Sequence, residues 1–268
     1  MSKVRHILGI SGGKDSAALA VYLRDDIPDM EYVFCDTGYE LEETYNFIEM
    51  LEVYLNKHIV RLPEELPGYS KEMDFKHYLD LYGGYLPSAA QRWCTVKLKL
   101  APFEMYFGDD EIVNYVGIRA DENRLGYLSN SGKVDTVFPF VEDGIDKNGV
   151  MRILNEAGVG LPEYYKWRSR SGCYFCFFQR KDEWVGLRQR HPELYKKAKK
   201  FEEGDFKWRQ DITLAELEKP EEMKKILEAR DKEVKSHQRL RPGATLLEVL
   251  DEVRDADDIE KPCLICHL

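Results

Sequence analysis

The stretch Ser11-Gly12-Gly13-Lys14-Asp15-Ser16 follows an apolar run and opens a helical pattern. Two adjacent glycines let the backbone turn tightly and direct its N–H groups at an anion. The start of a helix adds partial positive charge, the two serines add hydroxyl donors, and Lys14 adds a cation. The spacing differs from the G-x-x-x-x-G-K-[ST] loop of other nucleotide-binding proteins. The stretch therefore predicts a phosphate-binding turn between a strand and a helix.

Strand and helix patterns alternate through the first half of the chain. Apolar runs predict strands over Val4–Ser11, Glu31–Cys35, His58–Leu62, Glu111–Ile118 and Val134–Phe138. Helical spacing predicts helices over Asp15–Arg24, Leu41–Leu55, Val96–Phe107, Pro220–His237 and Leu246–Arg254, with a loop over Lys261–Leu268. Strands separated by helices predict an α/β fold with a parallel twisted sheet, whose ligands bind outside the carboxyl ends of the strands.

Length and composition describe a folded protein. The chain has 268 residues, 43% of them hydrophobic, and a net charge of −10. That size suits one large domain or a core with a smaller appendage. No apolar run reaches the roughly 18 residues of a membrane helix, and the N-terminus lacks the pattern of a signal peptide. We therefore expect a cytoplasmic protein that does not associate with membranes.

The character of the chain changes after Pro162, and the sequence predicts a boundary there. Residues 1–162 form the predicted nucleotide-binding α/β domain, and residues 163–268 a helical, basic, cysteine-containing region. Between Lys166 and Arg209 there are 13 Lys and Arg against 6 Asp and Glu. Such a segment suits a polyanion such as nucleic acid, although solvated helix faces also produce it. The candidate contacts are Tyr164, Tyr165, Trp167, Arg168, Arg170, Tyr174, Phe177, Phe178 and Arg180, and a helical basic face of Lys196, Lys197, Lys199 and Lys200. The alternative for half of these aromatic residues is packing around the cysteines.

The six cysteines indicate metal or redox chemistry rather than disulfides, because the cytosol keeps thiols reduced. Cys173 and Cys176 form one C-x-x-C pair, and Cys263 and Cys266 form another. Each pair can face one metal, and together they would make a four-thiolate site for zinc or iron–sulfur. The 86 residues between the pairs require the tertiary fold to assemble such a site. Cys35, within an apolar strand, is interpreted as a buried core residue.

Several motifs together resemble the PP-loop ATP pyrophosphatase superfamily, in its phosphoadenosine phosphosulfate (PAPS) reductase-like branch. The matching segments are Ser11–Ser16; Phe34-Cys35-Asp36-Thr37-Gly38 with Glu42-Glu43-Thr44; Arg92-Trp93-Cys94-Thr95 with Lys97 and Lys99; Gly117-Ile118-Arg119 with Glu122 and Arg124; and Gly172-Cys173 with Cys176. They extend over about two thirds of the chain. The resemblance implies the adenine nucleotide alpha-hydrolase-like fold.

The resemblance also implies the roles of individual residues. Lys14, Asp15 and Arg119 would be catalytic. ATP with Mg²⁺ would be bound by Ser11, Gly12, Gly13, Lys14, Asp15, Ser16, Asp36, Thr37, Gly38, Gly117, Arg119 and Arg124. For Asp36 and Thr37 a simple turn is the alternative, and for Arg119 a surface ion pair with Asp121 or Glu122.

Relatives in this branch hold a [4Fe–4S] cluster on a cysteine equivalent to Cys94 and the downstream pair. Here one cysteine stands where some relatives have two, so the cluster would have three protein ligands or a fourth from Cys263 or Cys266. Zinc and unligated thiols are the alternatives.

The chain also resembles the ATP-pyrophosphatase subunit of DNA phosphorothioation systems, which are bacterial defence modules. It implies adenylylation of a substrate, with a cysteine desulfurase as sulfur donor, DNA bound directly or through a complex, and a homodimer as the oligomeric state to test. The alternatives are a sulfonucleotide (PAPS/APS) reductase, a tRNA thiolase and a non-catalytic nucleotide-sensing subunit. In true PAPS reductases a glycine follows the C-terminal cysteine, whereas Leu264 follows Cys263 here.

Overall fold

A computed structural model describes residues 4–68, 72–122, 132–202 and 204–240. Its centre is a five-stranded parallel sheet with the order β3-β2-β1-β4-β5. The strands are β1 (Arg5–Gly9), β2 (Glu31–Cys35), β3 (Ile59–Leu62), β4 (Ile112–Tyr115) and β5 (Val134–Val137). The predicted α/β class and parallel sheet are confirmed. Each predicted strand is present, and all but β2 are shorter than predicted.

Helices connect the strands and extend into the second half of the chain. They are α1 (Lys14–Leu23), α2 (Glu42–Leu55), α3 (Phe75–Leu81), α4 (Trp93–Thr95), α5 (Ala101–Phe107), α6 (Pro139–Glu142), α7 (Lys147–Glu156), α8 (Lys181–Arg190), α9 (Pro192–Lys199), α10 (Leu214–Leu217) and α11 (Pro220–Leu240). A π-helical segment over Val96–Leu100 joins α4 to α5, and a 3₁₀ helix covers Glu163–Lys166. The helix predicted over Val96–Phe107 therefore begins at Trp93 and contains a wide turn.

Alternating side chains of the central strands supply two separate cores. On β1, Leu8 joins a core with α1, α2 and α7, whereas its neighbour Ile7 joins a core with α5 on the opposite face. On β2, Tyr32 and Phe34 face the first core. Because successive side chains of a strand point to opposite faces, helices cover both sides of the sheet. Cys35 is 1% exposed in the second core, which confirms its predicted burial.

A third core is built mainly from aromatic rings and lies outside the sheet. It combines Phe75 of α3 and Trp93 of α4 with residues from the second half of the chain, among them Phe175, Trp184 and Trp208. The rings of Phe75 and Phe175 lie 4.4 Å apart, and those of Phe175 and Trp208 are stacked at 5.1 Å. Residues on both sides of position 162 contribute to this core, and the domain boundary there stays a prediction.

Some predictions fall on other parts of the chain. The helix over Leu246–Arg254, the loop over Lys261–Leu268, Arg124, Cys263 and Cys266 lie outside the described residues. Within the described ranges, no helix is both long enough and apolar enough to cross a membrane.

Candidate functional site

The candidate site lies where the strand order of the sheet reverses. The chain adds β2 and β3 on one side of β1, then β4 and β5 on the other. A crevice forms outside the carboxyl ends of strands at such a point. The loop after β1 and the segment Gly117–Arg119 after β4 meet there. A Cβ on Gly117 would lie 3.0 Å from the carbonyl oxygen of Asp15, so the absence of a side chain permits this approach.

The two serine hydroxyls shape the loop after β1. The Ser11 and Ser16 hydroxyl oxygens lie 3.0 Å apart, and the Ser11 N–H donates to Ser16 Oγ at 3.1 Å. The Gly13 N–H in turn donates to Ser11 Oγ at 3.3 Å. Both serines are buried. The hydroxyls thus close the turn from inside, and their predicted contact with phosphate stays a prediction.

Gly12 and Gly13 allow neighbouring segments to pack directly on the loop. Gly12 has φ +72°, a left-handed conformation, and a Cβ there would lie 2.5 Å from Thr44 Cγ2 on α2. A Cβ on Gly13 would lie 3.0 Å from Ser171 Oγ. The first position therefore requires glycine for both its backbone conformation and its space.

Nearly buried charged side chains connect the loop after β1 with the segment after β4. Lys14 Nζ lies 3.2 Å from Asp15 Oδ2, and Arg119 Nη1 lies 3.1 Å from Asp15 Oδ1. Arg119 also pairs with Asp121 at 2.9 Å and with Glu122 at 3.2 Å. Burial disfavours the charged guanidinium, but these carboxylates outweigh it and raise the pKa of Arg119. The predicted ion pairs of Arg119 are present, with its side chain only 8% exposed and with Asp15 as a third partner.

Tyr164 and Tyr165, about 150 residues further along the chain, form hydrogen bonds with the loop after β1. The Tyr164 hydroxyl donates to the Gly12 carbonyl at 2.6 Å, and the Tyr165 hydroxyl accepts from the Lys14 N–H at 3.2 Å. Lys14 Nζ also lies 5.6 Å from the centre of the Tyr165 ring. From the sequence, both tyrosines are candidates for a nucleic-acid surface or for packing around the cysteines. Their contact with the loop could not be predicted, because no local pattern connects residues about 150 positions apart.

The segment after β2 forms a hydrogen-bonded turn beside the loop. Asp36 Oδ1 accepts from the Gly38 N–H at 2.7 Å and from the Tyr45 hydroxyl at 2.8 Å. Thr37 Oγ1 donates to Glu40 Oε1 at 3.0 Å, and burial raises the pKa of Glu40. The turn predicted as the alternative is therefore present. Nucleoside binding by Asp36, Thr37 and Gly38 stays a prediction.

Three of the predicted thiol ligands line one small cavity. Cys94, Cys173 and Cys176 contribute to its wall together with Thr37 and Lys99, and its volume is about 50 Å³. The structure thus brings together cysteines from the two separate motifs, at a cavity that also reaches the turn after β2. The second predicted C-x-x-C pair is not among the described residues.

The local environment makes the cysteines chemically different from one another. A hydrogen bond from Cys173 outweighs burial and lowers the pKa of Cys176 to about 6. The same hydrogen bond, together with burial, raises the pKa of Cys173, and burial raises that of Cys94 to about 12. Arg168, fully buried, donates to the carbonyl oxygens of Gly172 and Cys173 at 2.9 Å. Cys176 is therefore the thiol most readily available as a thiolate.

The donors around the cavity are three thiols, a donor type that suits both iron–sulfur clusters and zinc. Among residues 4–68, 72–122, 132–202 and 204–240, no three His, Cys, Asp or Glu side chains are grouped to hold one metal ion. A [4Fe–4S] cluster is held by thiolates on its irons. Cys94, Cys173 and Cys176 would supply three of these thiolates. The cluster, and the alternative of zinc, stay predictions.

The candidate nucleic-acid contacts between Tyr164 and Arg180 lie partly in the core and partly nearer the surface. Tyr164, Trp167 and Tyr174 are buried in the aromatic core. Arg168 is buried as well, so the expectation that it contributes to a nucleic-acid surface is wrong: its guanidinium holds the backbone of the cysteine segment. Arg180 is the N-cap residue directly before α8 and pairs with Asp182 at 3.1 Å.

Comparison with known proteins reveals relatives without an established function. An uncharacterized protein from Methanocaldococcus jannaschii is 29% identical over 83% of this chain and 55% of its own length. A second from the same organism is 27% identical over 71% of this chain and 40% of its own length. The uncharacterized nin region protein of Escherichia phage lambda is 30% identical over 44% of this chain and 49% of its own. The chain thus spans about half the length of the curated relatives it matches.

A solved structure and a protein family also match. The crystal structure of a phosphoadenylyl-sulfate (PAPS) reductase from Candida auris, in a phosphate complex, has 15% sequence identity and a TM-score of 0.48. The match covers 65% of this chain and 83% of that one. The family described as the phosphoadenosine phosphosulfate reductase domain matches residues 5–139, half of the chain, including the loop after β1, the turn after β2, Cys94 and Arg119. This chain therefore belongs to the phosphoadenosine phosphosulfate reductase domain family.

Proposed function

We propose that the chain is an ATP pyrophosphatase that adenylylates a substrate for sulfur incorporation. The observation that carries the proposal is the convergence of Lys14 and Arg119 on Asp15, between the carboxyl ends of β1 and β4. Two cations lie at the start of α1, where backbone N–H groups and the helix dipole favour an anion. In this arrangement a nucleotide phosphate exchanges places with the Asp15 carboxylate and receives both cations.

The charge balance of the crevice supports a requirement for Mg²⁺. Lys14 and Arg119 provide two positive charges, whereas Asp15, Asp121 and Glu122 provide three negative charges. A triphosphate would add more negative charge to a group that already carries −1. Mg²⁺ is commonly held by one or two carboxylates and by substrate phosphates rather than by a complete protein cage. When bound, it would neutralise the phosphates.

The proposed reaction transfers the adenylyl group and then replaces it with sulfur. A substrate oxygen attacks the α-phosphorus, the bond from that phosphorus to the bridging oxygen breaks, and pyrophosphate leaves. Lys14 and Arg119 stabilise the negative charge that develops on the phosphates. A persulfide from a cysteine desulfurase then attacks the activated centre, AMP leaves with the substrate oxygen, and a thiol reductant supplies two electrons to free the sulfur from its donor.

The thiol cavity would support the sulfur step. It shares Thr37 with the turn after β2, so it lies beside the proposed nucleotide site. A [4Fe–4S] cluster on Cys94, Cys173 and Cys176 would hold or relay sulfur there when bound. Arg168 fixes the backbone of Gly172 and Cys173, which orients that pair of thiols.

A DNA backbone phosphate is the proposed substrate, within a phosphorothioation defence system. Support comes from the motif resemblance and from the positive segment between Lys166 and Arg209. The test supplies ATP, a cysteine desulfurase, ³⁵S-cysteine and, in parallel reactions, either DNA or tRNA. The proposal expects DNA-dependent AMP release and radiolabel in nuclease-resistant dinucleotides. AMP release with label only in tRNA would replace DNA by tRNA as the substrate.

The family match favours sulfonucleotide reduction as a second candidate. A reductase would release sulfite from PAPS with thioredoxin as reductant and would not split ATP. Sulfite release that is lost on Cys263→Ser or Cys266→Ser would establish that reaction in place of the proposed one.

A further inference from the structure

A groove beside the candidate site combines aromatic rings with two exposed lysine side chains. It has a volume of about 890 Å³, within the range of ligand pockets, and its lining includes Tyr39, Tyr174, Phe201, Phe206, Lys197 and Lys200. It lies outside the crevice at the carboxyl ends of the strands, and neither the loop after β1 nor Arg119 lines it.

The structure separates the four lysines of the predicted basic face into two pairs. Lys196 donates to Glu193 at 2.7 Å, and Lys199 donates to Glu218. Lys197 and Lys200 are exposed and line the groove, and neither has a side-chain hydrogen bond or an ion pair within 4 Å among the described residues. The Glu193 carboxylate, which is paired with Lys196, also interacts electrostatically with Lys197. The remaining charged pair of the lining, Lys76 with Asp80, is neutral as a whole. The groove therefore carries positive charge at Lys197 and Lys200 in a protein whose net charge is −10.

The aromatic rings of the groove are held in place by packing. The Tyr39 ring lies 6.1 Å from that of Tyr174 and 6.3 Å from that of Phe201. Phe206, on the other wall, contacts Tyr85 at 5.3 Å and stands above Gly84, whose lack of a side chain leaves space beside the ring. Rings fixed in this way lose little conformational entropy when a ligand stacks on them.

Hydrogen bonds connect the groove to the proposed site. The Tyr174 N–H donates to the Tyr39 carbonyl at 2.8 Å, and the Tyr39 N–H donates to Thr37 Oγ1 at 3.3 Å. Tyr174 directly follows Cys173, which lines the thiol cavity with Thr37. Two lining residues of the groove, Tyr39 and Tyr174, thus lie two positions after Thr37 and one position after Cys173.

We infer that this groove binds a single-stranded nucleic-acid segment, with bases stacked on its partly exposed rings, which exclude the buried Tyr174, and phosphates on Lys197 and Lys200. The inference rests on the proposed function, because it gives the nucleic-acid substrate a route to the site. Aromatic rings in a positive groove are the shared chemistry of proteins that bind single strands. A duplex hides its base faces in its own stack, so it cannot use the rings.

The test measures binding of a fluorescent oligothymidylate of about 12 nucleotides to the whole chain by anisotropy, across a salt series. Lys197→Glu and Lys200→Glu are expected to lower the salt-dependence slope by about 0.7 each, the value for one phosphate contact on a single strand. The matched control is Lys196→Glu, which makes the same charge change on the same helix but removes a lysine paired with Glu193. Phe206→Ala is expected to weaken binding about tenfold through lost stacking.

Equal effects of Lys196→Glu and Lys197→Glu would overturn the inference, because long-range charge alone would then explain binding. Tighter binding of a duplex than of the oligothymidylate, with the same lysine dependence, would also overturn it. Pyrophosphate release from ATP by the wild type is measured in a separate assay, with DNA present. Groove-dependent binding without pyrophosphate release would contradict the proposed function and leave the groove assignment standing, whereas the reverse result would remove the groove alone.

Discussion

The hydroxyl oxygen of Tyr165 accepts a hydrogen bond from the backbone N–H of Lys14, the first residue of α1, at 3.2 Å. The Lys14 ammonium also lies 5.6 Å from the centre of the same ring. In the proposed mechanism these two groups receive a nucleotide phosphate. A ligand that uses them must therefore displace the tyrosine hydroxyl.

Replacing Tyr165 with phenylalanine is expected to tighten ATP binding about fivefold. The change removes the acceptor that competes for the Lys14 N–H, and one such hydrogen bond is worth about 1 kcal/mol net. Isothermal titration calorimetry of the wild type and Tyr165→Phe measures the difference.

The matched control is Tyr164→Phe, on the neighbouring residue. Its hydroxyl donates to the Gly12 carbonyl at 2.6 Å, so its loss leaves a buried acceptor unpaired and distorts the loop. ATP binding is expected to weaken in this variant. If Tyr165→Phe weakens binding to the same extent, Tyr165 supports the ligand instead of competing with it.

Gly12→Ala is expected to destabilise the protein strongly and to abolish ATP binding. The new Cβ would meet Thr44 Cγ2 at 2.5 Å, and the residue must keep φ +72°. Gly144 provides the control, since it has φ +66° but nothing within 4 Å of its Cβ position. Gly144→Ala should cost only the backbone strain of about 1–2 kcal/mol. Equal denaturation midpoints for the two variants would contradict this account of the loop.

The sheet could be predicted from the sequence because its information is local. The apolar runs around Leu8 and Val33 indicate buried parallel strands, and the glycines of the loop mark the turn between β1 and α1. The aromatic core was harder to predict from the sequence, since Trp93, Phe175 and Trp208 come from distant segments without periodic spacing.

The candidate site was predicted by its motifs but not by its contacts. For Arg119 the sequence predicts phosphate binding, with pairing inside its own segment as the alternative, whereas its bond to Asp15 joins residues 104 positions apart. Arg168 resembles a surface arginine in sequence, because nothing local indicates that carbonyl groups will surround its guanidinium. Such long-range partners depend on the packing of whole elements.

The ion pair between Glu52 and Arg61 is expected to make the free energy of unfolding depend on pH in the acidic range. The Arg61 hydrogen bond lowers the pKa of Glu52 from 4.5 to about 2. A lowered folded-state pKa stabilises the protein above the unfolded value, and that contribution is lost as the pH falls from about 4.5 to about 2. The free-energy difference between wild type and Glu52→Gln should shrink from about 1 kcal/mol to near zero over this range, because solvent screens the pair.

Urea denaturation at a series of pH values measures that difference. Glu156→Gln, which removes an exposed carboxyl group at the end of α7, serves as the control and should give a flat difference. A constant difference for Glu52→Gln would show that the carboxylate charge contributes nothing to stability.

The cluster prediction separates cysteines by their location. Protein purified without oxygen should be brown and contain iron and sulfide, and Cys94→Ser or Cys173→Ser should remove the colour. Cys35→Ala should keep it, because Cys35 is buried in the core between the sheet and α5 and does not line the thiol cavity. Stoichiometric zinc without iron, after growth with ample iron, would instead identify a zinc site.

The products of ATP turnover show whether the protein is an ATP pyrophosphatase, which splits ATP between the α- and β-phosphates. The protein is incubated anaerobically with Mg²⁺, DNA and ATP labelled at the α-phosphate, and the products are separated by thin-layer chromatography with an enzymatic assay for pyrophosphate. The account predicts AMP or an adenylylated product together with pyrophosphate, all lost in a folded Lys14→Ala variant. Release of ADP and inorganic phosphate by the wild type would contradict it.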